Sequence, residues 1–148
     1  MHLFRTMAIS GSALTAERLR LDIIANNLAN ANTTRTAAGG PFRRQVTVFA
    51  PRGDETQFLY PGMGTPAGAF RGRGVRVAAV SEDPSPFKRV YDPGHPDADA
   101  SGYVSLPNVN VVTEMVDMLA AQRAYEANVS AIVAARTMAE RALDIGRA

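Results

Sequence analysis

The chain has no cysteine, so neither a disulfide nor a thiolate metal site is available to it. Lysine is almost absent: of 16 basic residues only Lys88 is one. That arginine bias is of the kind genome base composition produces, and it assigns no function. Net charge is only +2, too small for strong nonspecific binding to nucleic acid. No apolar run approaches the roughly 20 residues that a membrane span needs. The N-terminus lacks the basic, apolar and small-residue segments of a cleaved secretory signal. Histidine is scarce too: His2 is at the N-terminus and His95 lies in a Pro-rich loop. A nucleophile–His–acid triad would have to use His95, and no G-x-S-x-G elbow is present. No enzyme and no cofactor is expected.

What is present suits an ordered chain. Hydrophobic residues make up 46% of the 148 and charged residues 20%, which argues against wholesale disorder and for one domain with a modest core. The organising stretch runs from Asn108 to Gly146 and has no proline or internal glycine. Val111, Met115, Met118, Gln122, Tyr125, Val129, Ile132, Arg136, Ala139 and Leu143 recur at alternating steps of four and three. They form one helical stripe, mostly apolar, interrupted at Gln122 and Arg136. Asn108 or Asn110 can cap its start, Glu114 and Asp117 suit the positive end of the dipole, and Gly146 suits the C′ position. Such a helix is roughly 50 Å long, too long for this chain to bury alone.

A second helix is expected from Leu3 to Ala31. Met7, Leu14, Leu21 and Leu28 sit seven apart, the spacing of a coiled-coil seam, with Ile24 beside them. Ser10-Gly11-Ser12 predicts a kink or a loose first turn or two, since Gly costs about 1 kcal/mol relative to Ala in a helix interior. Thr33–Pro41 reads as a turn. Short strands are expected at Gln45–Ala50, Val75–Val80, Phe87–Tyr91 and Tyr103–Leu106. Pro51–Gly74 is a Gly- and Pro-rich loop. The fold class is mainly α with a small β-rich insert. Residues 1–34 and 108–148 form a paired, coiled-coil-like helical part, and 35–107 the insert, which projects from one end.

Two loop motifs invite sharper readings. Arg71-Gly72-Arg73-Gly74 is basic, but no aromatic residues are interleaved, so it reads as a loop before a strand rather than a nucleic-acid site. Asp97-Ala98-Asp99-Ala100-Ser101-Gly102 matches the first half of an EF-hand loop. Position 12 of that loop falls on Asn108, which cannot supply the bidentate carboxylate, and Pro93 and Pro96 forbid the entering helix. An Asx-rich turn is expected, with a calcium-binding or other interaction module using Asp97–Ser101 as the competing reading.

Three stretches resemble the flagellar rod and hook axial proteins. They are Ser10–Arg35, with the Asn-rich run Ile24-Ala-Asn-Asn-Leu-Ala-Asn-Ala-Asn-Thr33; Val90–Val104, which points to a proximal-rod member; and Pro107–Asn128. Nothing in Pro51–Gly74 carries the resemblance. The resemblance implies a structural subunit whose terminal helices pair and pack against neighbours to build a tubular rod in the periplasmic part of the basal body. The rod joins the inner-membrane ring to the distal rod and hook and transmits torque. The implied partners are other copies, other rod proteins, the inner-membrane ring adaptor and the flagellar type III export apparatus, with export unfolded and without signal cleavage. No nucleic acid and no membrane span are implied. The assembly interface is expected at Met7, Leu14, Leu21, Ile24, Asn26, Asn27, Leu28 and Asn30 on the first helix. On the last helix it is expected at Val111, Met115, Met118, Leu119, Gln122, Tyr125, Val129, Ile132 and Leu143. Helices left marginal in the monomer would order only on assembly.

Overall fold

The computed structural model describes residues 2–37, 39–52 and 73–145. The elements in chain order are α1 (His2–Ala29), β1 (Gln45–Pro51), β2 (Val75–Glu82), β3 (Lys88–Tyr91), β4 (Tyr103–Leu106) and α2 (Val111–Ile145). The two helices enclose a small β-rich region. Most of the loop before β2, including Arg71 and Gly72, and the Gly146 cap position lie outside the described residues.

The helix ends follow from asparagines. Asn110 Oδ1 accepts from the amides of Val112 and Thr113 at 3.0 and 3.4 Å, which makes it the N-cap of α2. At the end of α1, Asn30 donates its side-chain amide to the Asn26 carbonyl at 2.9 Å, and the Ala31 amide bonds the Leu28 carbonyl in a tightened last turn. Asn108 caps no helix. Its Oδ1 accepts from the Arg44 amide at 2.9 Å, and its Nδ2 donates to the carbonyls of Asp83 and Ser85 at 3.1 and 3.3 Å.

The helices pack against each other antiparallel, with Asn27 meeting Glu114 and Arg20 reaching Asp117. On α2 a row of positions shielded from solvent runs through Glu114, Met118, Ala121, Tyr125, Asn128, Ile132, Ala135 and Ala139, at alternating steps of four and three, with Asp117 and Ala124 beside it. On α1 the matching row is Ile9, Ala13, Ala16, Arg20, Ile23 and Asn27. The α2 row differs from the expected stripe in one respect. It keeps Met118, Tyr125, Ile132 and Ala139, but takes Glu114, Ala121, Asn128 and Ala135 where the stripe has Met115, Gln122, Val129 and Arg136. Ala121 and Ala135 let the helix axes approach closely, and Glu114 and Asn128, seven residues from them, come inward on the same row. The bulkier apolar ones are left on the outside.

The β region is two separate antiparallel hairpins, β1–β2 and β3–β4. A bulge between Val48 and Phe49 breaks the register of the first. That hairpin does not project from one end; it lies along α1. Gln45 at the start of β1 is held by Asn27, and Val75 at the start of β2 by Ser12. Residues 12 to 27 span about 22 Å of helix, and β1 spans about 20 Å, so strand and helix segment match in length.

Ser10-Gly11-Ser12 does not interrupt the helix: α1 runs unbroken from His2 to Ala29. Small residues serve there for contact. Ser12 Oγ donates to the Ile9 carbonyl at 2.7 Å and accepts from the Val75 amide at 3.0 Å. Gly74 sits so close that a Cβ there would lie 2.2 Å from Ser12 Oγ, and its φ of +104° is one that side chains resist.

Candidate assembly interface

At the meeting point of both helices and the first hairpin lies a buried polar cluster. Glu114 is 0% exposed and Asn27 1%. Glu114 accepts from Arg44 Nε at 2.6 Å and from Asn27 Nδ2 at 3.0 Å. Asn27 also closes the start of β1, accepting from the Gln45 amide at 2.9 Å and donating to the Gln45 carbonyl at 2.8 Å. Arg44 reaches Asp83 at 3.4 Å and Asp117 at 3.5 Å. Burial opposes the Arg44 charge, but the hydrogen bond and attraction of Glu114, then of Asp83, outweigh it and raise its pKa above the ordinary value. An isolated buried carboxylate would cost several kcal/mol; this one has a charged partner and a neutral donor.

The residues expected at an interface divide into inner and outer sets. Ile24 and Asn27 are buried within the chain, while Met118, Tyr125 and Ile132 are half-buried in the helix–helix row. Asn30 is half-buried and spends its amide on Asn26, which is itself exposed, while its Oδ1 accepts from Thr33 Oγ1 at 3.2 Å. Met7, Leu14, Leu21 and Leu28 are half-buried. Helical spacing puts them on the flank of α1 turned away from the β1–β2 hairpin. Val111, Met115, Leu119, Gln122, Val129 and Leu143 are exposed, Leu119 at 57% and Leu143 at 70%. The same spacing puts Met115, Leu119, Val129 and Val133 on the matching flank of α2. The strands pack on α1, and α2 carries large apolar side chains in the open: Met115, Leu119, Val129 and Val133 on this flank, Val112, Val116 and Met138 elsewhere on the helix.

Sequence reasoning missed the cluster. Glu114 reads there as a dipole partner, and Arg44 does not stand out at all. The available signal was Glu114 itself, a charged residue one position before Met115 in a stripe that had to face inward somewhere.

The Asp-rich loop between β3 and β4 is a turn built from its own carboxylates. Asp99 Oδ1 accepts from the amides of Ser101 and Tyr103 at 2.8 and 2.9 Å, and its Oδ2 takes Arg89 at 2.6 Å. The Tyr103 amide, then the Ser101 amide and Arg89, hold the Asp99 carboxyl below its ordinary pKa. Asp97 accepts from Thr34 Oγ1 at 2.8 Å, which ties the loop to the end of α1. Tyr91 and Tyr103 pack edge to face at 5.2 Å, with Arg89 over the Tyr103 ring. Among the described residues no group of three or more His, Cys, Asp or Glu could hold a metal ion. Nor, among those residues, is any helix long and apolar enough to cross a membrane.

Comparison with known proteins matches both helices. A family model described as flagella basal body rod protein covers residues 7–35, and one described as flagellar basal body rod FlgEFG protein C-terminal covers residues 100–145. The chain is similar to the flagellar basal-body rod protein FlgC of Borreliella burgdorferi, at 48% identity over 98% of each chain. It is 41% identical to the protein of that name from Bacillus subtilis and 42% to that from Escherichia coli O6:H1. In each case 99% of this chain and 100% of the relative are covered.

Proposed function

The chain belongs to the FlgC family of flagellar basal-body rod proteins and is a structural subunit of the rod; on that premise we propose how it assembles. The helix pair, residues 1–34 with 108–148, is the axial part, and residues 35–107 face outward or touch adjacent layers. The four-three rows of shielded positions on both helices support reading the pair as a coiled-coil-like hairpin. Its relatives are structural rod proteins, and we assign it no catalytic role and no cofactor.

One observation carries the assembly reading: large apolar side chains stand open along α2, which the strands do not touch. That surface, with Met7, Leu14, Leu21 and Leu28 from α1 and Met115, Leu119, Val129 and Val133 from α2, packs against neighbouring subunits. Val111, Gln122 and Leu143 extend it, while exposed Asn26, on the opposite flank of α1, is a separate contact point. Ile24, Asn27, Met118, Tyr125 and Ile132 act from within, holding the two helices in the shape the neighbours meet. Met115, Leu119, Val129 and Val133 are about half exposed, so covering them contributes on the order of 3–6 kcal/mol, against association costs of about 4–15. A single contact is then marginal, and only a lattice of repeated contacts is stable. A head-to-tail contact of this kind that does not close propagates as a helical tube.

In place, the subunit links the inner-membrane ring adaptor to the remaining rod proteins in the periplasm and transmits torque. It arrives through the flagellar type III apparatus. Quantitative mass spectrometry of purified hook–basal bodies against cytosol tests this. Enrichment with the other rod proteins is expected; a protein confined to the cytosol of cells with intact basal bodies would overturn it.

A further inference from the structure

We infer that Asn27, Arg44 and Glu114 form a register lock that selects one alignment of α1 against α2. The rest of the contact row discriminates poorly between alignments. Sliding α2 by seven residues exchanges Met118, Tyr125, Ile132 and Ala139 among themselves, apolar for apolar. It also moves Ala121 to the place of Glu114 and leaves Ala13 and Ala16 facing residues they can accommodate. Small side chains interlock weakly, so shape alone does not penalise the slip.

The cluster does penalise it. A slip of seven residues moves Glu114 by about 10 Å along the helix, beyond the reach of Arg44 and Asn27. Asn27 cannot follow, because both of its polar atoms are fixed to Gln45 of β1. Arg44 cannot follow either: it directly precedes Gln45, which Asn27 fixes to α1, and its carbonyl is held by the Asp83 amide of the same hairpin. The guanidinium would lose its 2.6 Å partner while remaining largely shielded. The lock also sets the sheet, since the same Asn27 joins α1 to β1. The claim concerns the isolated subunit and does not depend on how the rod is built.

The absence of cysteine makes the test direct in the full-length chain. Ala13 and Asn128 stand at equal distances along the helices from Asn27 and Glu114, so Ala13→Cys with Asn128→Cys reports the native alignment. Ala13→Cys with Ala121→Cys, or with Ala135→Cys, reports a slip of seven residues either way. With the lock intact, only the native pair should oxidise. In an Asn27→Leu, Arg44→Met, Glu114→Leu background the circular-dichroism helix signal should persist, while slipped pairs rise from background to yields comparable with the native pair. Native-only crosslinking in that background would overturn the inference. So would loss of the helix signal, which would make the cluster a requirement for folding itself rather than a choice between alignments.

Discussion

Asn27 donates a 3.0 Å hydrogen bond to Glu114, 87 positions later in the chain, with both side chains out of contact with water. The bond joins the end of the first helix to the start of the last. Asn27→Asp removes the donor and sets a second carboxylate against Glu114. Loss of the buried hydrogen bonds and the like-charge contact together should cost about 2–5 kcal/mol, read as a lower urea midpoint at unchanged slope. Adding Glu114→Gln should recover part of the loss. An unchanged midpoint in Asn27→Asp would show that the contact does not form in solution.

Gly74→Ala tests the close approach of β2 to α1. The new methyl would meet Ser12 Oγ in a backbone conformation already unfavourable for alanine. A loss of about 1–3 kcal/mol is expected in thermal unfolding, with the Val75 amide losing protection first. A variant as stable as the parent would mean that the strand stands off from the helix.

The β3–β4 turn should loosen in acid. Asp99 is held below its ordinary pKa of 3.8, so the stability it contributes is complete above that value and is lost as pH falls through the lowered one. The amide resonances of Ser101 and Tyr103 should titrate together with a midpoint below 3.8. A midpoint at or above the ordinary value would dismiss the hydrogen bonds of Asp99 as a solution feature.

Hydrogen exchange on the dilute monomer should be graded rather than uniform. Protection should be greatest around Asn27 and Glu114 and fall toward Met7 and Leu143, where few buried contacts hold the helices. Equal, strong protection to both far ends would contradict the idea that neighbours complete the packing.

Much of this fold is legible in the sequence because its signals are local. The helices announce themselves by an apolar period and by Asn-rich ends, and all four strands by short β-branched runs between turns. The face of α2 that turns inward is not local information. Met115 and Val129 look like better core residues than Glu114 and Asn128, yet close helix approach favours Ala121 and Ala135 and brings their heptad partners inward. Glu114 could be buried only because Arg44, from a different segment, arrives to pair with it. Likewise Ser10-Gly11-Ser12 looks like a weak point in a helix until Gly74, just before β2, is found resting on Ser12.

Leu119→Asp is the most direct test of the outward apolar face as the rod-building surface. At 57% exposure the substitution should leave circular dichroism and the urea midpoint of the monomer unchanged within about 0.5 kcal/mol. In cells the variant should be absent from purified hook–basal bodies and motility should be lost, because a charge enters a packed seam between subunits. Met118→Asp should also block assembly, but with clear destabilisation of the monomer, since that side chain lies between the helices. Incorporation of a stably folded Leu119→Asp subunit at parental levels, with normal swimming, would contradict the account.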